Sequence, residues 1–331
     1  MSIVPERVLK GYRPEEWRPA ATPEILAARA RLLRDIRQYM AGQDILEVET
    51  PILGHFGVTD VYLDNLSTRV DRPDQPGSEE LYLITSPEYA MKRLLASGCG
   101  SIYQITRAFR NNEYGPIHNP EFSILEWYRP GYDLHAMMDD VSGLLSCLGF
   151  PEVEKAGYGN LFQKYTGLDP HQEATGELAS LARSLGLEDG YENRGMLLDF
   201  IFSHEVAPDL GKDIPVLVHD YPVSQAALAR LSEDTPALAR RFELFINGIE
   251  IANGFDELTD VTEQYRRFTL DNQVRTGIGK NPVPIDDYFL AALDHGLPAC
   301  AGVAVGLDRL LMVQQKLETV HAVITFPRDR A

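Results

Sequence analysis

Cysteine is scarce. Cys99, Cys147 and Cys300 are the whole complement, an odd number without CxxC spacing. This excludes a disulfide framework and a structural zinc site, and points to a reducing, cytoplasmic setting. No apolar run approaches the roughly 20 residues that span a bilayer, and the opening MSIVPERVLKGYRPEEWRP lacks the apolar stretch of an export signal. A soluble protein with no membrane partner is expected. Positive charge is short too: 31 Lys+Arg stand against 49 Asp+Glu, a formal net charge of -18. Such a surface repels a polyanion, so extensive nucleic-acid binding is excluded. The phosphate-cradling GxxxxGK[ST], the dinucleotide GxGxxG, and the HExxH and GxSxG signatures are all missing. Any nucleotide must be held by another device.

What is present is a chain of 331 residues with 44% hydrophobic composition, enough for a sizeable core. Residues 1–22, with Pro5, Pro14 and Pro19 among charges, read as an arm laid over the surface or frayed. From Pro23 the apolar positions Ile25, Leu26, Leu32, Leu33, Ile36, Tyr39 and Met40 recur at helical spacing until Gly42. A strand is predicted over 45–53, a polar loop over 70–80 and a buried strand over 81–85, after which Ser86 and Pro87 suit the N-cap and first position of a helix. SIYQITRAFR and EFSILEWYR form a long-looped hairpin, and the stretch 151–212 is read as a mostly helical insertion beside the sheet. PVLVHDYP, a hairpin around Asn247-Gly248, a helix in LTDVTEQYRRFTLDNQVRTG and GVAVGL running into DRLLMVQQKL complete the chain; GIGKNP is a loop only. Consecutive hairpins mixed with helices give an α+β fold, a mainly antiparallel sheet flanked by helices.

Period-two alternation in EFSILEWYR puts Phe122, Ile124, Glu126 and Tyr128 on one face. If that face is core, Glu126 requires a cation, either a protein Lys or Arg or a ligand amine; otherwise the face is solvated. Arg110, His118 and Asn119 project around the mouth of the same hairpin. Arginine suits bidentate binding of phosphate or carboxylate, and the alternative is a solvent loop with incidental charges. Asn247-Gly248 is a two-residue turn signal that pairs Phe245 with Glu250. Glu243 then shares a face with Glu250 at roughly 7–8 Å. Two such carboxylates hold a hard cation such as Mg²⁺ or are solvated edge charges. In GVAVGLDR the strand glycines let something approach closely and Asp308 fits the N-cap, which leaves Arg309 at the helix end where a cation is unfavourable. An anionic ligand or a neighbouring acid repairs that. Glu88 is accounted for as an acidic first-turn residue.

Together these segments resemble the catalytic core of class II aminoacyl-tRNA synthetases of the lysyl subclass. ILEVETPIL, with Pro51, resembles the first motif of that class, RAFRNNEYGPIHNPEFSILEWYR the second and GVAVGLDRLLM the third, while TSPE at 85–88 and NGFDELTD at 253–260 are lysyl-type segments. The resemblance covers nearly the whole chain from Pro23. It implies a six- or seven-stranded antiparallel sheet, a homodimer through the first motif, and ATP with Mg²⁺. Lysyl-tRNA synthetases carry an N-terminal OB-fold for the anticodon, whereas 22 residues precede the core here, so no tRNA anticodon binding is expected. In this, and in HNPEFSILEWYRPGYD and GFDELTD, the chain is similar to the elongation factor P (R)-β-lysine ligase family. Those enzymes activate (R)-β-lysine with ATP and transfer it to a lysine ε-amine of elongation factor P; the resemblance leaves lysine itself as the other amino acid.

The resemblance also implies roles. Arg110 and Arg309 are catalytic, neutralising phosphate charge. Phe122 stacks on adenine with Arg309 on its other side or at the γ-phosphate, and His118 meets the terminal phosphates. Asn111, Asn112, Asn119, Ile251 and Gly306 complete the nucleotide site, and Glu243 and Glu250 hold Mg²⁺. Ser86, Pro87, Asn253 and Ala304 line the amino-acid pocket, with Glu88 and Glu126 at the backbone-side amine and Tyr128 with Glu257 at the distal one. Where the family reads FRNEE this chain reads FRNNE, so Asn112 is expected to alter nucleotide contact without abolishing it.

Lysyl-tRNA synthetases read GxGxGxDR in the third motif, and Ala304 replaces the middle glycine. The extra methyl crowds an α-amine and leaves room for a β-amine, an effect of about 1–3 kcal/mol. Ala304→Gly is therefore expected to raise kcat/KM with α-lysine at least several-fold relative to (R)-β-lysine. Adenylate formation with both amino acids on both proteins checks this, and an unchanged ratio removes Ala304 from the specificity argument.

Overall fold

Thr22 and proline in the first turn start α1 (Pro23–Gly42), whose Ala28, Leu32, Ile36 and Met40 form one buried stripe. The computed structural model describes residues 17–71, 77–188, 193–233 and 238–331; most of the expected arm, residues 1–16, lies outside them. The strand expected over 45–53 is broken. Pro51 has no N–H for a ladder, and β1 (Leu46–Glu47) and β2 (Leu53–Gly54) enter different sheets. The stretch 70–80 is not a plain loop, because β3 (Leu66–Asp71) and β4 (Ser78–Leu83) run into it from both sides and pair with β2 as a small antiparallel sheet. Residues 72–76 lie outside those described. These strands are largely solvated, so nothing there demands apolar side chains, and LYLIT is half-exposed where a buried strand was expected.

α2 (Glu88–Ala96) starts one residue later than predicted, with Pro87 at the cap position and the Ser86 hydroxyl accepting from the Glu88 N–H at 3.2 Å. The predicted hairpin is β5 (Ile102–Phe109) and β6 (Glu121–Pro130), followed by α3 (Leu134–Cys147). Within 151–212 lie α4 (Tyr158–Thr166), α5 (Thr175–Ser184) and α6 (Arg194–Ile201), preceded by a strand, β7 (Glu154–Gly157). Then come β8 (Val216–Pro222), the hairpin β9 (Leu238–Ile246) and β10 (Ile249–Asp256), and α7 (Val261–Gly277). Asn247 and Gly248, with φ of 52° and 75°, make the turn their sequence predicts. An unanticipated helix follows, α8 (Asp287–Gly296), too short for a clear periodic signal though Asp286 caps it. The chain ends with β11 (Cys300–Gly306) and α9 (Leu307–Gln314).

Among the described residues eight strands form the main sheet in the order β1-β5-β6-β11-β10-β9-β8-β7, antiparallel except for the two outer pairs. It is thus wider than the six or seven strands expected, because β1 and β7 each add a short parallel edge. One face packs α1, α3 and α9 around Trp127, Phe242 and Leu311. The other is shared: Tyr158, Phe162 and Phe202 cover Phe245 and Val218 at one side, and Met91, Phe268 and Phe289 cover Tyr128 and Ile102 at the other. No helix among the described residues is long and apolar enough to cross a membrane.

Asp308 is not the N-cap, a position Gly306 takes. Buried instead, it accepts from the Ser123 N–H at 2.7 Å and pairs with Arg29, which also donates to the Val323 carbonyl at 2.9 Å. The aspartate joins α9, β6 and α1. Asp308→Ala would leave the Arg29 charge and the Ser123 N–H without it, so a loss of about 3–5 kcal/mol in stability is expected. Denaturant titration checks it, and a loss below about 1 kcal/mol would show that the pair is dispensable.

Candidate active site

Strand register builds the site. Gln104, Glu126, Ala304, Asn253 and Glu243 lie opposite one another across five strands, and the next row carries Tyr128, Gly302 and Arg241. Gly302 and Gly306 are four residues apart on β11, roughly 13 Å at strand rise, with Ala304 midway. The two glycines do different work. A Cβ at Gly302 would overlap the Tyr128 ring and stand 2.7 Å from Glu257 Oε1, whereas at Gly306 the nearest atom is the Ile251 carbonyl at 3.7 Å. Gly302 seats protein groups, whereas Gly306 would admit a Cβ at ordinary contact distance.

The Gly302 end is acidic. Tyr128 donates its hydroxyl to Glu126 at 2.7 Å, and Glu126 Oε2 is buried without a partner. Burial, then the charge of Glu88, pushes Glu126 up to about 8. Sequence reasoning missed Lys92, which is fully buried on α2 and bridges Glu88 at 2.6 Å and Glu257 at 2.5 Å, with the Phe289 ring 5.7 Å away. Its spacing, i+4 from Glu88, was the available signal. Burial raises Glu257 to about 8, with Lys92 pulling it back. The expected division of Glu88 and Glu126 from Tyr128 and Glu257 is not seen: Tyr128 bonds Glu126, and Glu88 and Glu257 share Lys92. The Ser86 hydroxyl is engaged with backbone, and the Asn253 amide oxygen accepts from Arg241 at 3.1 Å.

The Gly306 end is cationic. Arg309 donates to the carbonyls of Ile117 at 3.1 Å and Glu250 at 2.9 Å and reaches His118 Nε2 at 2.7 Å, while the Glu250 carboxylate is 3.8 Å away. These contacts, and not a ligand alone, offset its place at the helix start. Burial and Arg309 lower His118, holding it neutral. The Arg110 guanidinium lies over the Phe122 ring at 5.1 Å, 3.6 Å from Glu113, and its Nε is buried without a partner. Two residues expected at the nucleotide have their side chains engaged within the protein, although the Ile251 carbonyl stands beside Gly306. Ile251 is the extra residue of a bulge and packs into the core behind the sheet, and both ends of the Asn119 amide bond backbone, at Glu121 and Arg328.

Glu243 and Glu250 do share the site face, but Glu243 is not a free carboxylate. Tyr221 donates to it at 2.7 Å and Arg241 pairs with it. Burial, opposed by Arg241 and reinforced by Glu250, raises it to about 7. A hard cation between Glu243 and Glu250 would have to compete with Arg241 for Glu243, leaving Glu250 the more available of the two carboxylates.

The family model for tRNA synthetases class II (D, K and N) matches residues 6–330. The chain belongs to that class II family. Among curated relatives, Elongation factor P--(R)-beta-lysine ligase of Histophilus somni (strain 2336) is 47% identical over 320 residues, 96% of this chain and 99% of the relative. Proteins of the same name from Pasteurella multocida (strain Pm70) and Haemophilus influenzae (strain PittGG) are 44% and 45% identical, covering 97% and 95% of this chain and 100% and 98% of theirs.

Within that class II frame the FRNNE departure has a local cause. Asn111 donates its N–H to the Asp64 carbonyl at 2.8 Å, while Asn112, at φ 62°, donates its amide to the Asp64 carboxylate at 3.1 Å. Lys280, in the GIGKNP segment read as a loop only, pairs with the other Asp64 oxygen at 2.9 Å. Beside the expected alteration at adenine, Asn112 thus takes part in a tie between three loops. A glutamate at 112 would oppose Asp64 and fit the left-handed backbone less well. Asn112→Glu is expected to raise the KM for ATP several-fold, and Asp64→Asn added to it to restore part, a coupling of about 0.5–3 kcal/mol. Strict additivity in the double-mutant cycle would show that the two side chains do not communicate.

Proposed function

We propose that this protein is an ATP-dependent ligase that activates (R)-β-lysine as its adenylate and transfers the acyl group to a lysine ε-amine of elongation factor P. Charge and spacing carry the reading. Glu88, Glu126 and Glu257 against the single ammonium of Lys92 leave two negative charges unmet at the Gly302 end, and an amino acid with two ammoniums supplies them. Arg110, His118 and Arg309 at the other end receive its carboxylate and the ATP phosphates. The curated relatives carry this activity in their names and match over nearly their full length.

In the first step a substrate carboxylate oxygen attacks the α-phosphorus in line, the bond to the bridging oxygen breaks and pyrophosphate leaves. Arg110 and Arg309 neutralise charge as it develops, and the anchored ammoniums fix the angle of attack. Glu243 and Glu250 would hold Mg²⁺, which when bound neutralises phosphate charge. In the second step the neutral acceptor amine attacks the acyl carbon, AMP leaves with the electron pair of the broken bond, and the amine gives up a proton. The reading includes a cytoplasmic location and a homodimer through the first motif, where Leu46 and Ile52 stand exposed.

Pyrophosphate exchange with (R)-β-lysine and with lysine, then transfer of labelled amino acid to purified elongation factor P or to total tRNA, tests the proposal. Absence of exchange with either amino acid overturns the ligase, and transfer to tRNA alone overturns the acceptor. A pH effect follows as well. Glu126 and Glu257, raised to about 8, are mostly protonated at pH 6 and must ionise to pair with the ammoniums. The KM for the amino acid should fall as pH rises from 6 to 8, and the KM for ATP should change far less.

A further inference from the structure

The ion pairs of Lys92 raise a question that the reaction does not answer. A lysine on the first helix after the small sheet would ordinarily sit at the surface, yet this one is fully buried and its Nζ is shared by carboxylates from two separate elements, Glu88 on α2 and Glu257 just beyond β10. Neither bond is needed to start α2, where Pro87 already sits at the cap position, and the aromatic stack of Tyr89 on Phe289 at 4.7 Å already fastens α2 to α8. Glu257 Oε1 faces the Gly302 position, against which the Tyr128 ring packs, and Tyr128 carries Glu126. Lys92 therefore pairs with two members of the carboxylate set gathered around Gly302 and Tyr128.

We propose that Lys92 is a positioning residue for amino-acid recognition, an internal counter-ion that pairs with Glu88 and Glu257, holds both carboxylates in place around the pocket, and leaves two negative charges for a bound substrate to meet. This rests on the reading of that pocket as the site of a diamino acid. Without Lys92 three carboxylates would face two ammoniums. The surplus carboxylate, in a dry site, takes up a proton and ceases to be a charged acceptor. Other titratable groups lie near: Glu126 and Tyr128 from β6, Tyr89 from α2 and Cys300 from β11, while Asp256 of β10 points to the other face and pairs with Arg230. Burial raises Tyr128, Tyr89 and Cys300, so these stay neutral at ordinary pH and cannot replace the missing cation.

Lys92→Met removes both charge and hydrogen bonds; Lys92→Gln removes the charge but keeps two N–H donors on a side chain one atom shorter. In pyrophosphate exchange both variants should show an amino-acid KM at least tenfold above wild type at pH 7, an ATP KM within about twofold, and an amino-acid KM that keeps falling at pH values where the wild-type curve is already flat. The shift with pH is what a purely structural lysine would not produce. If wild type exchanges with no diamino acid, the reading of the pocket fails. If wild type exchanges normally while either folded variant keeps its amino-acid KM and pH profile, only the role of Lys92 fails. Should both variants melt below assay temperature, the lysine is a folding requirement and the proposal falls.

Discussion

Carboxylates gathered on a buried sheet face are tolerated only with cations to match, and the rest of this molecule is arranged around that constraint. Glu126 has one oxygen on Tyr128 and the other without a partner, and Glu257 depends on Lys92. An isolated buried ion costs several kcal/mol even after relaxation, so the unliganded site keeps its protons. Proton loss and ammonium binding are then one linked event. The same logic, weaker, governs Glu243, where Arg241 and Tyr221 compensate the carboxylate and Glu250 works against it. The acidic pocket is thus costly to the empty fold and selective for what fills it.

Supporting such a pocket needs rigid neighbours. Antiparallel register fixes Glu126 opposite Ala304 and Tyr128 opposite Gly302, and a slip of one residue would send all of them to the helix-covered face. Asp308 helps hold that register by accepting from the Ser123 backbone while it pairs with Arg29, so α9 and β6 cannot move independently. Arg309, the next residue along, inherits this precision. Its carbonyl partners and His118 orient it before any phosphate arrives.

Much of this was legible in the sequence because it obeys local rules. Period-two alternation identified the face of Glu126 and Tyr128, the Asn-Gly turn set the β9–β10 pairing, and the motif segments named the fold. What was not legible depends on contacts distant in sequence. The end of β3 and the start of β4 look like loop because a solvated sheet has no apolar face to reveal, and the strand over 45–53 was lost to a proline whose consequence depends on the sheet each half joins. Lys92 reads as an exposed helical residue until Glu257, far along the chain, closes over it. Asn112 reads as a nucleotide contact until Asp64 and Lys280 meet beside it.

The two ends of β11 differ in charge. The carboxylates near Gly302, negative once a bound cation displaces their protons, and the cationic cluster beyond Gly306 lie at opposite ends of one strand, roughly 13 Å apart. A diamino acid can enter such a strip in only one favourable direction, ammoniums toward Glu126 and Glu257, carboxylate toward Arg110 and Arg309. Reversal would set carboxylate against carboxylate and ammonium against guanidinium. Ala304 stands between the two ends, opposite Glu126. On the proposed reading, direction follows from charge at the ends, and a methyl at the middle stands where an α-amine and a β-amine would differ.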